Sequence, residues 1–169
     1  MASVNVDAVM SRLNPLIVAI LRTPVLHWLL SPGLMLVRVT GRRSGRRYRI
    51  PVGYQRDGDD LIVLVSRARK KQWWRNYREA RKTEIRLRGR DRQGEAVVIA
   101  PGSAEFDHQI ERSLARMPRM ASVFGVERYD KRSGLTASQL EHLAREIAIV
   151  RIAVDKVRDS LRPLNPSES

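Results

Sequence analysis

The densest chemistry in the chain lies in Thr40-Gly41-Arg42-Arg43-Ser44-Gly45-Arg46-Arg47-Tyr48-Arg49. Gly41 and Gly45 permit backbone conformations closed to other residues. A turn of this kind can aim several backbone N–H groups inward and form an anion nest. Ser44 adds a hydroxyl donor, and the arginines add planar forks suited to phosphate or carboxylate. The segment is not a P-loop, because the Gly-Lys-Ser/Thr ending and the following helix are missing. The expected ligand is anionic and phosphorylated. The plain alternative is an exposed basic hairpin loop.

A second cluster is Trp73-Trp74-Arg75-Asn76-Tyr77, preceded by Arg69-Lys70-Lys71. On a helix Trp73 and Tyr77 share a face, with Trp74 about 100° away. One aromatic can enter the core while another edges a cleft. Asn76 can bond to backbone and fix a neighbouring loop. Two aromatics that simply anchor a helix on the core are a compatible reading.

Other catalytic chemistry is sparse. The chain has no cysteine, which excludes disulfides, thiol nucleophiles and thiolate metal sites. His27, His108 and His142 are scattered without metal-ligand spacing, so no metal site is expected. No metalloprotease, nucleophile-elbow or paired-carboxylate motif is present. Such a chain can still be an enzyme if a cofactor carries the chemistry.

Charge placement points to the same region. The net charge is +14, and residues 38–92 hold 19 Lys and Arg against 6 Asp and Glu, a net +13. Charge concentrated in this way suggests an anionic partner at one place.

The elements that must position these residues read as helix, strands, helices and a last strand, in one domain over 1–169. Residues 1–30 read as helical, packing on the core or lying on a membrane surface. Leu34–Val39, Tyr48–Arg56, Leu61–Ser66 and Thr83–Leu87 read as strands. Asp57-Gly58-Asp59 is a hairpin signal. A turn at Asp91–Gly94 would lead into a return strand, Glu95–Ala100. A short helix is expected over Gln72–Arg81. Ser103 and Thr136 or Ser138 can cap later helices, with a short helix around Met120–Gly125 between them. Val150–Val154 can close the sheet, and residues 163–169 form a disordered tail. The fold class is α+β, a small antiparallel barrel of five or six strands. It carries an N-terminal helix, one helix between hairpins and C-terminal helices. Residues 34–100 form the barrel core with the site, and 103–154 the helices and closing strand.

Thr40-Gly41-Arg42-Arg43-Ser44-Gly45, Pro51, Asp57-Gly58-Asp59, Ser66 and Trp73–Tyr77, in that order, resemble the deazaflavin-dependent nitroreductase family. These are actinobacterial split-barrel quinone and nitro reductases, related to the flavin-binding pyridoxamine-phosphate-oxidase-like barrels. The resemblance implies coenzyme F420, a deazaflavin with a phosphate and a polyglutamate tail, with an FMN-binding or cofactor-less split-barrel paralogue as the alternative. It places Arg42, Arg43, Ser44 and Gly45 on the phosphodiester and acidic tail, with Arg47 and Arg49 beside them. Pro51, Val52, Ser66 and Arg67 fall near the ring. Lys70, Lys71, Trp73, Trp74 and Asn76 complete the implied cofactor contacts. The implied reaction passes a hydride to a quinone, a nitro compound or an unsaturated lipid-like acceptor. Tyr129 is the one tyrosine beyond Tyr77 and so the candidate phenol donor. Split barrels of this relationship often form homodimers. The sequence departs from the family pattern where Arg67-Ala68-Arg69 replaces the usual Asn-Gly-Gly. It departs again where Tyr48-Arg49-Ile50 precedes Pro51.

Two other readings compete. The basic window with its tryptophans could track phosphates and stack bases, but no recognition-helix or RNA-motif signature is present. The apolar Pro15–Leu30 segment could rest on an anionic bilayer, which is compatible with a lipid-soluble acceptor. No stretch reaches the roughly 18 apolar residues of a span, and no signal peptide is evident. The expected location is cytoplasmic, with membrane association through that segment.

Overall fold

In the strand Asp60–Val65, Leu61, Val63 and Val65 enter one apolar cluster while Ile62 and Leu64 enter another. The strand is covered on both faces, as its unbroken apolar run requires. A computed structural model describes residues 33–41, 45–127 and 129–155. The N-terminal segment 1–30 and the tail 163–169 lie outside the described residues. So do Arg42, Arg43 and Ser44.

Seven strands form one antiparallel sheet: β1 (Leu34–Thr40), β2 (Arg47–Gly53), β3 (Gln55–Asp57), β4 (Asp60–Val65), β5 (Arg81–Leu87), β6 (Arg90–Ile99) and β7 (Ala148–Val154). Their order is β2-β1-β5-β6-β7-β4-β3. The two edge strands, β2 and β3, are consecutive in the chain and separated by Tyr54 alone. One residue spans at most about 3.6 Å. The edges therefore meet, and the sheet curls into a split barrel of the α+β class.

The strand count is one more than the sequence implied, because Tyr48–Arg56 divides. Its first half pairs with β1 and its second with β4. At the junction the Tyr54 N–H donates to the Gly33 carbonyl at 3.0 Å, and the Tyr54 side chain is buried.

The turn expected at Asp91–Gly94 lies instead at Arg88-Gly89, where φ is 48° and 77°. Positive φ at both loop residues gives the hairpin a twist that matches its strands. Strand β6 therefore begins at Arg90.

The expected helix over Gln72–Arg81 is replaced by two short 3-10 turns, Ala68–Lys70 and Trp73–Tyr77, and β5 begins at Arg81. A side chain competes here for a carbonyl that an α-helix would use: Asn76 Nδ2 donates to the Trp73 carbonyl at 2.7 Å. Trp74 Nε1 donates to the Ala68 carbonyl at 2.9 Å, which ties the second turn to the first.

The C-terminal helices are α1 (Ala104–Arg116), α2 (Met120–Val123) and α3 (Ala137–Glu146). Ser103 Oγ accepts from the Phe106 N–H at 3.1 Å. Thr136 and Gln139 form a reciprocal capping box. Both caps leave an apolar face toward the sheet. Phe106, Ile110, Leu114 and Leu143 are fully buried with Ile99 and Ile149 on the outer side of the barrel wall. Met35, Val37, Val63, Ile85 and Val150 fill the interior.

Candidate functional site: a basic notch between β1 and β5

Antiparallel pairing sets which loops meet. Thr40 pairs with Arg47, Arg38 with Glu84, Arg81 with Ala96, and Val65 with Ala148. The turn at 41–46 and the connection 66–80 thus share one end of the barrel. At that turn the Gly41 N–H donates to the Arg46 carbonyl at 2.9 Å and the Gly45 N–H to the Gly41 carbonyl at 2.8 Å. Gly45 has φ 63°, the left-handed conformation for which glycine is suited.

The β1–β5 ladder stops at the pair Arg38–Glu84. Beyond it Val39–Thr40 and Arg81–Thr83 part. A cleft of about 300 Å³ opens between them, reaching from Tyr77 and Asn76 to Arg47 and Gln93. That is the lower end of the range for small-ligand pockets. Its lining carries four cations, Arg38, Arg47, Arg81 and Lys82, against one carboxylate, Glu84.

Those cations are not equivalent. Arg38 donates to Glu84 at 2.5 Å and to Asp91 at 3.1 Å, and Arg86 also holds Asp91, at 3.2 Å. The Glu84 hydrogen bond, with both carboxylates nearby, holds the Arg38 pKa above its ordinary value despite partial desolvation. Arg47, Arg81 and Lys82 form no ion pair among the described residues. They are the charges available to an anion.

The cleft floor is rigid. Tyr77 is buried, and its hydroxyl lies 2.8 Å from Thr83 Oγ1. Thr83 Oγ1 also lies 3.4 Å from the Arg38 carbonyl oxygen, which ties the pair to β1. Burial pushes the Tyr77 phenol above its ordinary value, and the Thr83 hydrogen bond offsets part of that rise. A group whose folded pKa is raised stabilises the fold below its unfolded pKa and loses that contribution as pH rises. Tyr77→Phe is therefore expected to lose about 1 kcal/mol at neutral pH. Above about pH 10, the unfolded tyrosine pKa, its stability should fall less steeply than that of the wild type. Chemical denaturation at pH 7 and across pH 10–11.5 checks both halves.

The structure gathers most of the remaining expected residues at this end. Asn76 lines the cleft, and its Oδ1 is buried without a donor. Trp73 and Trp74 pack against the barrel interior, with Trp73 edge-on to Tyr77 at 6.3 Å. Asn76 fixes its own turn rather than a neighbouring loop. Ser66 Oγ accepts from Lys71 Nζ at 3.3 Å. Arg67 has φ 48° and ψ 50°, and so adopts without a glycine a conformation that glycine takes cheaply. Lys70 is exposed in the same turn. Arg49 pairs with Arg38 in the sheet register and is exposed, Pro51 is half-buried, and Val52 belongs to the interior.

Tyr129 is not brought to the notch. It packs half-buried with the helices on the other side of the barrel wall. Burial raises its phenol pKa, with Glu111 and Asp130 adding to the rise. His142 Nε2 lies 3.3 Å from the Phe124 carbonyl, and His108 is exposed on α1. His27 lies outside the described residues. Among the described residues no group of three His, Cys, Asp or Glu is placed to hold a metal.

Arg81, Lys82 and Gln93 were not read as site residues. Nothing local marks them: they reach the cleft only because β5 parts from β1 beyond Arg38 and Glu84.

A family profile matches residues 20–134, a span that holds the turn, the notch and both 3-10 turns. The chain belongs to the F420H2-dependent quinone reductase family. That family uses coenzyme F420. The residues present fit such a group: Arg47, Arg81 and Lys82, which have no ion pair among the described residues, suit an anionic tail at the notch.

Among solved structures, one described as a domain-swapped dimer is 13% identical with TM-score 0.50, over 88% of this chain and 99% of that one. A FAD-binding protein from Mesorhizobium loti is 11% identical with TM-score 0.43, over 77% and 87%. The FAD and heme binding protein from Mycobacterium smegmatis is 17% identical with TM-score 0.45, over 74% and 62%. The first likeness is one of fold. No curated protein matches the chain. Among the described residues no helix is long and apolar enough to cross a membrane.

Proposed function

We propose that the protein binds reduced coenzyme F420 at the notch end of the barrel and reduces a small hydrophobic acceptor, a quinone in the first instance. Nitro compounds and unsaturated lipid-like acceptors are the other classes this chemistry serves. The observation that carries the reading is the parting of β1 and β5 beside the glycine turn, with Arg47, Arg81 and Lys82 around it in no ion pair among the described residues.

When bound, the deazaflavin supplies a hydride. The protein's own part is binding and orientation. Arg47, Arg81 and Lys82 meet the phosphate and acidic tail, together with Arg42, Arg43 and Ser44 of the turn. Asn76 and Thr40 add uncharged polar contacts. Tyr77, locked to Thr83, keeps the cleft wall from yielding, which favours a fixed approach of the reacting groups. Arg38 keeps Glu84 engaged, which limits repulsion of an anionic ligand.

The nucleic-acid reading is less well supported. Arg75 and Arg78 lie over the Trp74 ring at 5.6 and 5.8 Å, where a base would need to stack. Membrane contact through residues 15–30 remains part of the proposal, checked by vesicle sedimentation of the full chain against a chain lacking 1–30.

The test is a fluorescence titration of the purified protein with coenzyme F420 in both redox states. Oxidation of the reduced form by menadione is then followed with and without protein. Saturation at or below tens of micromolar and protein-dependent turnover are expected. No binding in that range would sink the proposal.

A further inference from the structure

A second cleft of about 300 Å³ lies at the opposite end of the barrel, lined by Tyr54, Gln55, Arg56, Arg88, Arg116 and Met117. It sits where β2 passes into β3 and where the β5–β6 hairpin turns. Three of its six lining residues are arginines and none is a carboxylate. The nearest acid on the adjoining strand, Asp57, is already held by Arg112 at 2.5 Å and Arg116 at 3.2 Å. Arg116 also donates to the Arg56 carbonyl at 2.6 Å, which latches the end of α1 onto β3. The guanidinium groups of Arg56 and Arg88 form no ion pair among the described residues.

Two further observations concern the lining itself. Arg88 is the first loop residue of the hairpin and has φ 48°. Asn, Asp or Gly is favoured at that position, and an arginine there carries a backbone cost. Backbone strain of this kind is a recognised sign of a site. Gln55 Nε2 donates to the Ser113 carbonyl and to Met117 Sδ, both at 3.4 Å, which ties the cleft wall to the end of α1. The cleft thus combines positive charge at its rim with a wall that carries no carboxylate.

We infer that this cleft is a second anion site, distinct from the notch, for a small anion. Carboxylate or phosphate oxygens meet Arg56 and Arg88. Exposed Met117 supplies an apolar side wall. The volume suits a molecule the size of citrate or glycerol 3-phosphate.

Isothermal titration of the full chain with citrate and, separately, with glycerol 3-phosphate tests this. Saturable 1:1 binding of at least one is expected, and which one binds distinguishes a carboxylate from a phosphate ligand. Arg88→Gly should weaken it at least tenfold without lowering Tm, because glycine suits the left-handed turn. A notch variant, Arg81→Ser with Lys82→Ser, should bind as the wild type does. The inference fails if neither anion binds at millimolar concentration. It fails equally if Arg88→Gly binds undiminished, or if the notch variant is the one that loses binding.

Discussion

Replacing Arg81 and Lys82 together by serine weakens binding of reduced coenzyme F420 about 100-fold. Each residue lines the notch, and neither has an ion pair among the described residues. Their charges are therefore not already spent inside the protein, as that of Arg38 is. A hydrogen bond to a charged group contributes about 1.5–3 kcal/mol. Both side chains are exposed, so the low end applies, about tenfold for each residue. The wild-type affinity should fall with added salt, and the variant's should fall less, since fewer screened contacts remain. Both residues lie outside the buried core, so the melting temperature should move by no more than about 2 °C. Fluorescence titration at two salt concentrations measures all of this. An unchanged dissociation constant would remove the notch from the coenzyme site while leaving the turn in contention.

The second large effect concerns the barrel. Gly94→Ala is expected to cost about 3 kcal/mol, the upper part of the range for overpacking. A Cβ at Gly94 would stand 2.4 Å from the Ala153 carbonyl oxygen and 3.2 Å from its carbon. Both atoms are backbone, and β7 is held between β6 and β4, so it has nowhere to retreat. Gly94 also faces Thr83, the residue that links Tyr77 to β1. The loss corresponds to a drop of about 10 °C in Tm for a domain of this size. Gly53→Ala is the control: its nearest contact is ordinary, 3.7 Å to the Gly33 carbonyl oxygen. Circular dichroism melts of the two variants decide the matter. Equal Tm values would contradict the β6–β7 register.

The Trp73–Tyr77 segment shows where pattern reading stops. Its aromatic spacing suited an α-helix, yet the chain winds as 3-10 turns, with Asn76 taking the Trp73 carbonyl that a helix bond would need and Trp74 tied back to Ala68. Propensity is a weak prior that such side-chain bonds override. Tyr48–Arg56 was legible as extended chain, but nothing local announces that it changes partner at Tyr54. That switch depends on where β1 and β4 lie, and these are distant in sequence.

By itself the sequence determined the α+β class, the strand-rich middle, both helix caps, the concentration of charge in 38–92 and the ordered motifs of the deazaflavin-dependent family. Each is local, carried by residue type and a period of two or about 3.6. The tertiary structure alone decided that β1 and β5 part beyond Arg38 and Glu84, that Thr40, Arg81 and Lys82 line one cleft, and that Tyr129 lies on the far side of the barrel wall. Those facts follow from pairing register between strands some forty residues apart. Register is fixed by burial of one face against the whole interior, a property that no single segment contains.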